Sequence, residues 1–447
     1  MIMKPFIFLF TVVLLLLMIV SCGENELGES LKDVEWGSVV KISEYANAQM
    51  PRVSWHNSEV ANVVWERNDY VRYNYYQAGW NEDSELSGFN QSSLSLQLAS
   101  NGNGTSFSVW AGGATYSNIY AAKYSTSTGW NTAVVLSDDG GNFFDHTPDI
   151  AVDAEGNAMA VWYVTYDLLS DPNYHEVWGR RYDASLDQWE AIDLTFQQPK
   201  PAISNRYDGF VTTPLSFSEP KVAADQEGNF IAVWRENDHI WFNRYILDSG
   251  WSGYQTVSND TGYGEIDSKH KIVMNKGGEA FVVFNREISA NFTIKAVRFD
   301  GAAWIYEATV LNTNEPSNPD VAMSDSGDAV VVSDLQSGMG FTINRYQKSL
   351  NTWLGELHLH SSVSNISYPK VVMDEQGHIV VVWIQDGDIF GTVHESNNTW
   401  EPDKFTDPYK IWSGSINTEP YVAVNDNYQG IVTWEESNSD IYAAYFQ

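Results

Sequence analysis

The stretch PKVAADQEGNFIAVW, residues 220–234, holds two short apolar runs separated by Asp-x-x-Gly-Asn and closed by a Trp. Val, Ile, Phe and Trp suit a pleated, half-buried strand. The Asp225 carboxylate can accept backbone N–H groups in the turn, and Gly228 can take a left-handed conformation that a side chain would make costly. The stretch therefore reads as a β-hairpin with a type I turn and a Gly bulge. Nearly the same sentence recurs along the chain. PDIAVDAEGNAMAVW occupies 148–162, HKIVMNKGGEAFVVF 270–284, PDVAMSDSGDAVVVS 319–333, PKVVMDEQGHIVVVW 369–383 and PYVAVNDNYQGIVTW 420–434. Two looser copies end at Trp65 and Trp110, which makes eight, spaced by roughly 50 residues, the mark of a solenoid or propeller.

Each copy has a second half. After the Trp comes a polar gap and then an alternating segment, such as IWFNRY from Ile240 or IYAAKY from Ile119. A turn follows, and then a Trp opens a last short run: Trp36, Trp80, Trp130, Trp189, Trp251, Trp304, Trp353 and Trp400. One unit thus reads as four short strands, a to d. The reading is an all-β protein, a single β-propeller of eight four-stranded blades, or of seven if one degenerate copy near the N-terminus is not a blade. The segment 34–43, VEWGSVVKIS, is a lone d-strand, and the last unit stops after its c-strand. The N-terminal strand is therefore expected to complete the last blade and close the ring, which removes an open sheet edge.

These units resemble those of bacterial extracytoplasmic β-propeller lipoproteins with the pattern VAxDxxGNAxAVW, IYAxRY and GW. More distantly they resemble sialidase and Asp-box propellers. The resemblance covers 34–447 and speaks to fold, since propellers host many unrelated functions. The Asp-box pattern S-x-D-x-G-x-x-W is not met, because the Trp lies six residues after the Gly.

The N-terminus, MIMKPFIFLFTVVLLLLMIVSCGENE, has a basic Lys4, an apolar run from 6 to 20 and the only Cys, Cys22. The run is short for a membrane span of ~20 residues and suits a signal peptide. IVSC is similar to a bacterial lipobox. The expected organisation is a signal peptide at 1–21, a lipid-bearing Cys22 with a polar tether at 22–33, and the propeller at 34–447. The implied location is the bacterial cell envelope, by lipid anchor only, with Gly23 favouring the outer membrane. The chain has 58 acidic and 25 basic side chains and a net charge of -33. Such a surface repels phosphate backbones and disfavours nucleic acid as a partner. Aromatics at 14% exclude a disordered acidic chain.

In a propeller the b–c loops and d–a crossings share one face. On that face the sequence places acidic groups, and Glu66, Glu236, Glu287 and Glu435 come near one blade position. They are candidate acid, base or nucleophile carboxylates for glycoside cleavage, although duplication alone also explains a ring of them. Candidate binding residues are Arg67, Arg235, Arg286, Asp386 and, in two longer insertions at 165–176 and 197–219, Tyr166, Asp167, Arg206 and Tyr207. Arg181, Arg244, Arg298 and Arg345 share a repeated c-strand position and read as structural. Fourteen of the 18 tryptophans sit at these repeat positions, and Trp178 and Trp241 share a repeated c-strand site, which leaves Trp55 and Trp412 as candidate stacking platforms. SDDGGNFFDH at 137–146 offers Asp138, Asp139, Asn142 and Asp145 as oxygen ligands for Ca²⁺, and no other cofactor is expected. His358 and His360 in LHLH would share one side of a strand but lack a third ligand. The functional reading is an envelope binding scaffold for carbohydrate or protein ligands, with a glycan-active hydrolase or lyase as the alternative. A third reading, a subunit of an envelope assembly, would need an exposed apolar patch.

Overall fold

The a–b hairpin forms as its residues require. Asp225 Oδ1 accepts the N–H of Glu227 (2.8 Å) and of Asn229 (2.9 Å), and Oδ2 accepts the Asn229 side-chain amide at 2.7 Å. Gly228 lies at φ +84°. Asp153 and Asp374 hold their turns in the same way. In the computed structural model of the chain, residues 34–87, 94–113, 117–137, 143–168, 171–191, 218–236, 238–258, 265–313, 315–361, 363, 365–397, 399–416 and 418–447 are described. Cys22, the signal segment and the whole tether lie outside these residues.

Eight antiparallel sheets follow one another, and we number them as blades 1 to 8. Blade 1 is Ala48–Trp55, Val60–Arg67, Tyr70–Gln77 and Ser84–Glu85. Blade 4 is Ser218–Ala224, Phe230–Glu236, His239–Ile246 and Gly250–Trp251, with Gln255–Thr256 added at its edge. The count is eight, not seven: both degenerate copies form blades. The innermost a-strand of each blade packs against that of the next, and Tyr421–Val424 of blade 8 packs against Ala48–Trp55 of blade 1. The outer strand of blade 8 is Val40–Lys41, which pairs with Ala443 and Tyr442. Gly37 donates its N–H to the Tyr445 carbonyl at 2.8 Å.

The apolar core lies between blades rather than inside one. Met159, Val161 and Val177 of blade 3 pack with Val222, Phe230, Ala232 and Trp234 of blade 4. Equivalent clusters join other neighbouring pairs. A lone four-stranded blade exposes both apolar faces, so neighbours must cover them. The d-strand tryptophans pack edge-on against the c-strand aromatics, as Trp251 does on Tyr245 at 5.6 Å and Trp189 on Tyr182 at 5.4 Å. The repeated arginines are structural: Arg298 pairs with Glu279 (2.6 Å) and Arg345 with Asp328 (2.8 Å).

One segment differs from its expected form. Residues 165–168 and 171–176 continue a hairpin instead of forming a loop. Strand Ala158–Leu168 pairs with Asp171–Asp183, with Thr165 opposite His175 and Tyr166 opposite Tyr174. Tyr163, Val164, Thr165 and Tyr166 suit a strand and favour extending the ladder, which also satisfies the backbone groups.

Candidate ligand site at the channel mouth

The eight a-strands share one register. In each, one residue pairs with the residue just before the b-strand Trp or its equivalent: Arg52, Gln97, Asp149, Lys221, Lys271, Asp320, Lys370 and Tyr421. All eight are polar within otherwise apolar strands. Several of them contact one another or a neighbouring blade. Arg52 Nε donates to Gln97 Oε1 at 3.3 Å, and its guanidinium lies 3.9 Å above the Tyr421 ring. The Tyr421 hydroxyl donates to Glu419 Oε2 at 3.0 Å, and Glu419 pairs with Lys370. Asp320 and Asp149 accept the N–H groups of Val371 (3.0 Å) and Val222 (2.9 Å) in the neighbouring blades.

Just before seven of these eight residues, all but Tyr421, the strand carries a β-bulge, with register shifts such as Ser268/Lys271 and Ser367/Lys370. The residue two positions earlier has positive φ in six blades: Met50, Ser95, Thr147, Lys269, Asn318 and Tyr368. Such a conformation costs a non-glycine residue about 1–2 kcal/mol. Bulges re-aim side chains and gather near functional sites. Here they bring Lys269, Asn318 and Tyr368 to the rim of a cavity of about 370 Å³. Its walls come from blades 4 to 8 and also carry Glu219, Lys221, Arg235, Lys271, Lys370 and Glu419. The cavity lies where the a-strands begin, on the face of the d–a crossings and b–c hairpins.

The electrostatics are those of a crowded ring. Burial works against ionisation of Glu419, yet Lys370 and Lys271 hold its carboxyl down at about 2. Burial likewise opposes the charge on Lys370, and Asp320 and Glu419 outweigh it and raise its amine. Lys271 goes the other way: burial, then Lys370 and Lys221, push its amine below the usual lysine range. His270, 4% exposed, is pushed down to about 3 by burial and then by Lys221 and Lys271, so it is neutral. Burial raises Tyr421 to about 12, so its hydroxyl stays protonated and donates.

Of the residues expected to bind ligand, Arg235 lines this cavity, with Nη2 on Asp238 at 2.5 Å. Arg286 does not reach the face. It is 3% exposed and held by both Asp267 oxygens (2.7 and 2.9 Å), Glu307 (2.8 Å) and Glu265 (3.2 Å) inside blade 5. Arg67 lies over Tyr45 at 4.5 Å, at the end of the blade 1 hairpin. Asp386 is at a turn with Gly387, φ +54° and +85°, and accepts the Asn365 amide at 2.6 Å. Two-residue turns of this kind make several b–c connections too short to form pocket walls. Arg206 and Tyr207 lie outside the described residues, and Tyr166 and Asp167 are placed only as strand positions.

The four glutamates do not form one ring. Glu66 and Glu435 directly follow the b-strand Trp, Glu236 is two residues after it and so on the other strand face, and Glu287 is three after its Phe284 equivalent and so two residues farther along. Glu66 accepts the Leu96 N–H of blade 2 at 3.3 Å, and Glu435 the Met50 N–H of blade 1 at 3.4 Å. Asp334 does the same for Tyr368 of blade 7 at 3.4 Å. This position is an inter-blade tie. Glu236 instead accepts the Trp234 indole N–H at 3.2 Å.

Trp55 is 6% exposed and donates to the Ala423 carbonyl at 3.2 Å, and Trp412 stacks on Tyr442 at 5.2 Å. Neither is an open platform. Asp145 is fully buried and accepts from the Ser137 hydroxyl (2.5 Å) and the Trp162 indole (3.1 Å), so it serves the blade interior rather than a Ca²⁺ loop. Asp138, Asp139 and Asn142 lie outside the described residues. His360 falls just past the strand Leu357–Leu359, at φ +54°, and packs on Trp383 at 5.0 Å, so it does not pair with His358. Among the described residues no group of three or more His, Cys, Asp or Glu could hold a metal ion.

The channel ring was missed because each member looked like an ordinary polar residue. The signal was the residue just before the first Val, Ile or Leu of each a-strand run, as in PKV or PDI, which is polar in all eight copies.

No family model matches the sequence, and no curated protein is similar to it. Solved structures are similar in fold. The BP39L lectin from Burkholderia pseudomallei superposes with a TM-score of 0.53 at 12% identity, covering 82% of this chain and 100% of the lectin. The polysaccharide lyase Uly1 gives 0.47 at 11% identity over 92% and 99% of the two chains. The NanB sialidase from Streptococcus pneumoniae gives 0.40 at 10% identity over 91% and 94%. At these identities the likeness is one of fold: this chain is an eight-bladed, all-β propeller with four-stranded blades.

Proposed function

We propose that the chain is a lipid-anchored protein of the bacterial cell envelope whose propeller is a binding scaffold for carbohydrate. Cys22 would carry the anchor, and the ligand would enter the channel mouth. The observation that carries this reading is the cavity itself. Five blades wall it, polar side chains line it, and the ring of Tyr368, 37% exposed, stands at its rim. Concave sites with a few convergent polar groups and an aromatic face suit sugars. The fold shared with a lectin agrees with this use. The pairing of 40–41 with the last blade acts as the clasp that closes the ring, giving the rigid frame such a site needs. Protein ligands remain the competing class for the same face.

Binding is favoured over hydrolysis or lysis because Glu66, Glu236 and Glu435, three of the four candidate carboxylates, accept neighbouring N–H groups, and the four occupy different strand positions. A glycan-array screen of the full chain in mild detergent, with the mass of each hit followed over time, tests this. Binding without mass change is the expected result. Cleavage of a hit would replace the scaffold with a glycan-active enzyme. Silence on every glycan would refute the carbohydrate reading in favour of a protein ligand.

A further inference from the structure

We propose that the channel-mouth cavity takes the anionic group, carboxylate or sulfate, of an acidic sugar, with Lys271 as its free cation. The inference rests on the carbohydrate reading above and names the class of sugar. The chain carries a net charge of -33, yet this one cavity is lined by five Lys or Arg side chains and only two carboxylates.

Four of the five cations have partners. Lys221 faces Glu219 at 3.4 Å, Lys370 pairs with Glu419, and Arg235 with Asp238 at 2.5 Å. Lys269 donates to Ser317 (3.0 Å) and Asn318 (2.8 Å). Lys271 has neither a hydrogen bond nor an ion pair among the described residues, although Asp320 and Glu419 act on it through space. Asp320 gives an oxygen to the Val371 N–H, and Glu419 serves Lys370 and Tyr421. A desolvated ammonium without an acceptor is costly, and an anion seated against it removes that cost.

The surroundings select the rest of the ligand. Tyr368 is held at the rim by its bulge at φ +51° and offers a ring face, and Asn318 and Ser268 offer hydroxyl partners. The strongly acidic body repels dense polyanions at long range. A sugar with sparse acid groups meets both conditions.

The test is titration calorimetry on the full chain in mild detergent, with four probes: trigalacturonic acid, its methyl ester, galactose 6-sulfate and galactose. The acid or the sulfate, or both, should bind at least tenfold more tightly than the matching neutral sugar, and which one binds identifies the acid group. Lys271→Met should weaken the acidic probe at least tenfold and leave the neutral one unchanged. The comparison of acid with ester uses the native chain alone, so it stands even if the variant folds poorly. Equal binding within both pairs, acid with ester and sulfate with galactose, or a variant within twofold of the native chain for the acidic probe that binds, overturns the anion site while leaving the carbohydrate reading intact. Absence of binding by any sugar, charged or neutral, overturns both.

Discussion

Replacing Glu66 by Gln should stabilise the protein at neutral pH and not at acidic pH. Glu66 is 1% exposed, and burial pushes its carboxyl from 4.5 up to about 7, against the weaker pull of the Leu96 N–H, Arg52 and Gln49. Below pH ~4.5 the group is protonated in both folded and unfolded chains, and its ionisation costs nothing. Between about 4.5 and 7 the unfolded chain releases a proton that the folded chain keeps, so stability falls as pH rises. Above about 7 the full penalty applies. At ~1.4 kcal/mol per pH unit it amounts to about 3 kcal/mol. Gln keeps an oxygen for the Leu96 N–H and carries no charge. For the unit 36–447 the unfolding entropy is of order 0.9 kcal/mol/K, so the gain is about 3–4 °C in Tm. Scanning calorimetry of both proteins at pH 4.5, 6 and 8 measures it. Titrating groups that the substitution does not touch cancel in the difference. A difference that does not change between pH 4.5 and 8, or a variant less stable at pH 8, refutes the argument.

Arg286→Met should be strongly destabilising, because it leaves Asp267, Glu265 and Glu307 facing one another inside blade 5. Breaking a buried ion group in this way costs about 3–5 kcal/mol, and calorimetry should show a Tm lower by about 3–6 °C; a change under 1 °C would contradict the buried cluster. Deletion of residues 34–43 should expose the edge of Ile441–Phe446, which now pairs with 40–41. Size-exclusion chromatography should then show association through the bared strand, and limited proteolysis should cut first within 420–447. A monomer as resistant as the native chain would show that the clasp is dispensable.

The hairpin, the four-strand unit and the count of eight were all legible in the chain. Asp225 and Gly228 specify their turn within five residues, and the Trp in six of the eight b-strands marks the same buried position of each unit. The site was much less legible. Arg235 was named and found at the cavity, but Arg286, one residue later in its repeat, points into the blade and is neutralised there. Strand alternation makes that difference, and a residue-level reading of loops overlooked it. Glu66 and Glu435 looked like free carboxylates because their partners, Leu96 and Met50 N–H groups, belong to the next blade.

The sequence by itself determined the architecture, because strand period, turn chemistry and repeat length are local properties written eight times over. Only the tertiary structure decided the site. Lys221, Lys271 and Lys370 are about 50 and 100 residues apart along the chain and meet in one cavity because the a-strands form a circle. Their charges act on one another, and on Glu419, only after ring formation removes the water between them.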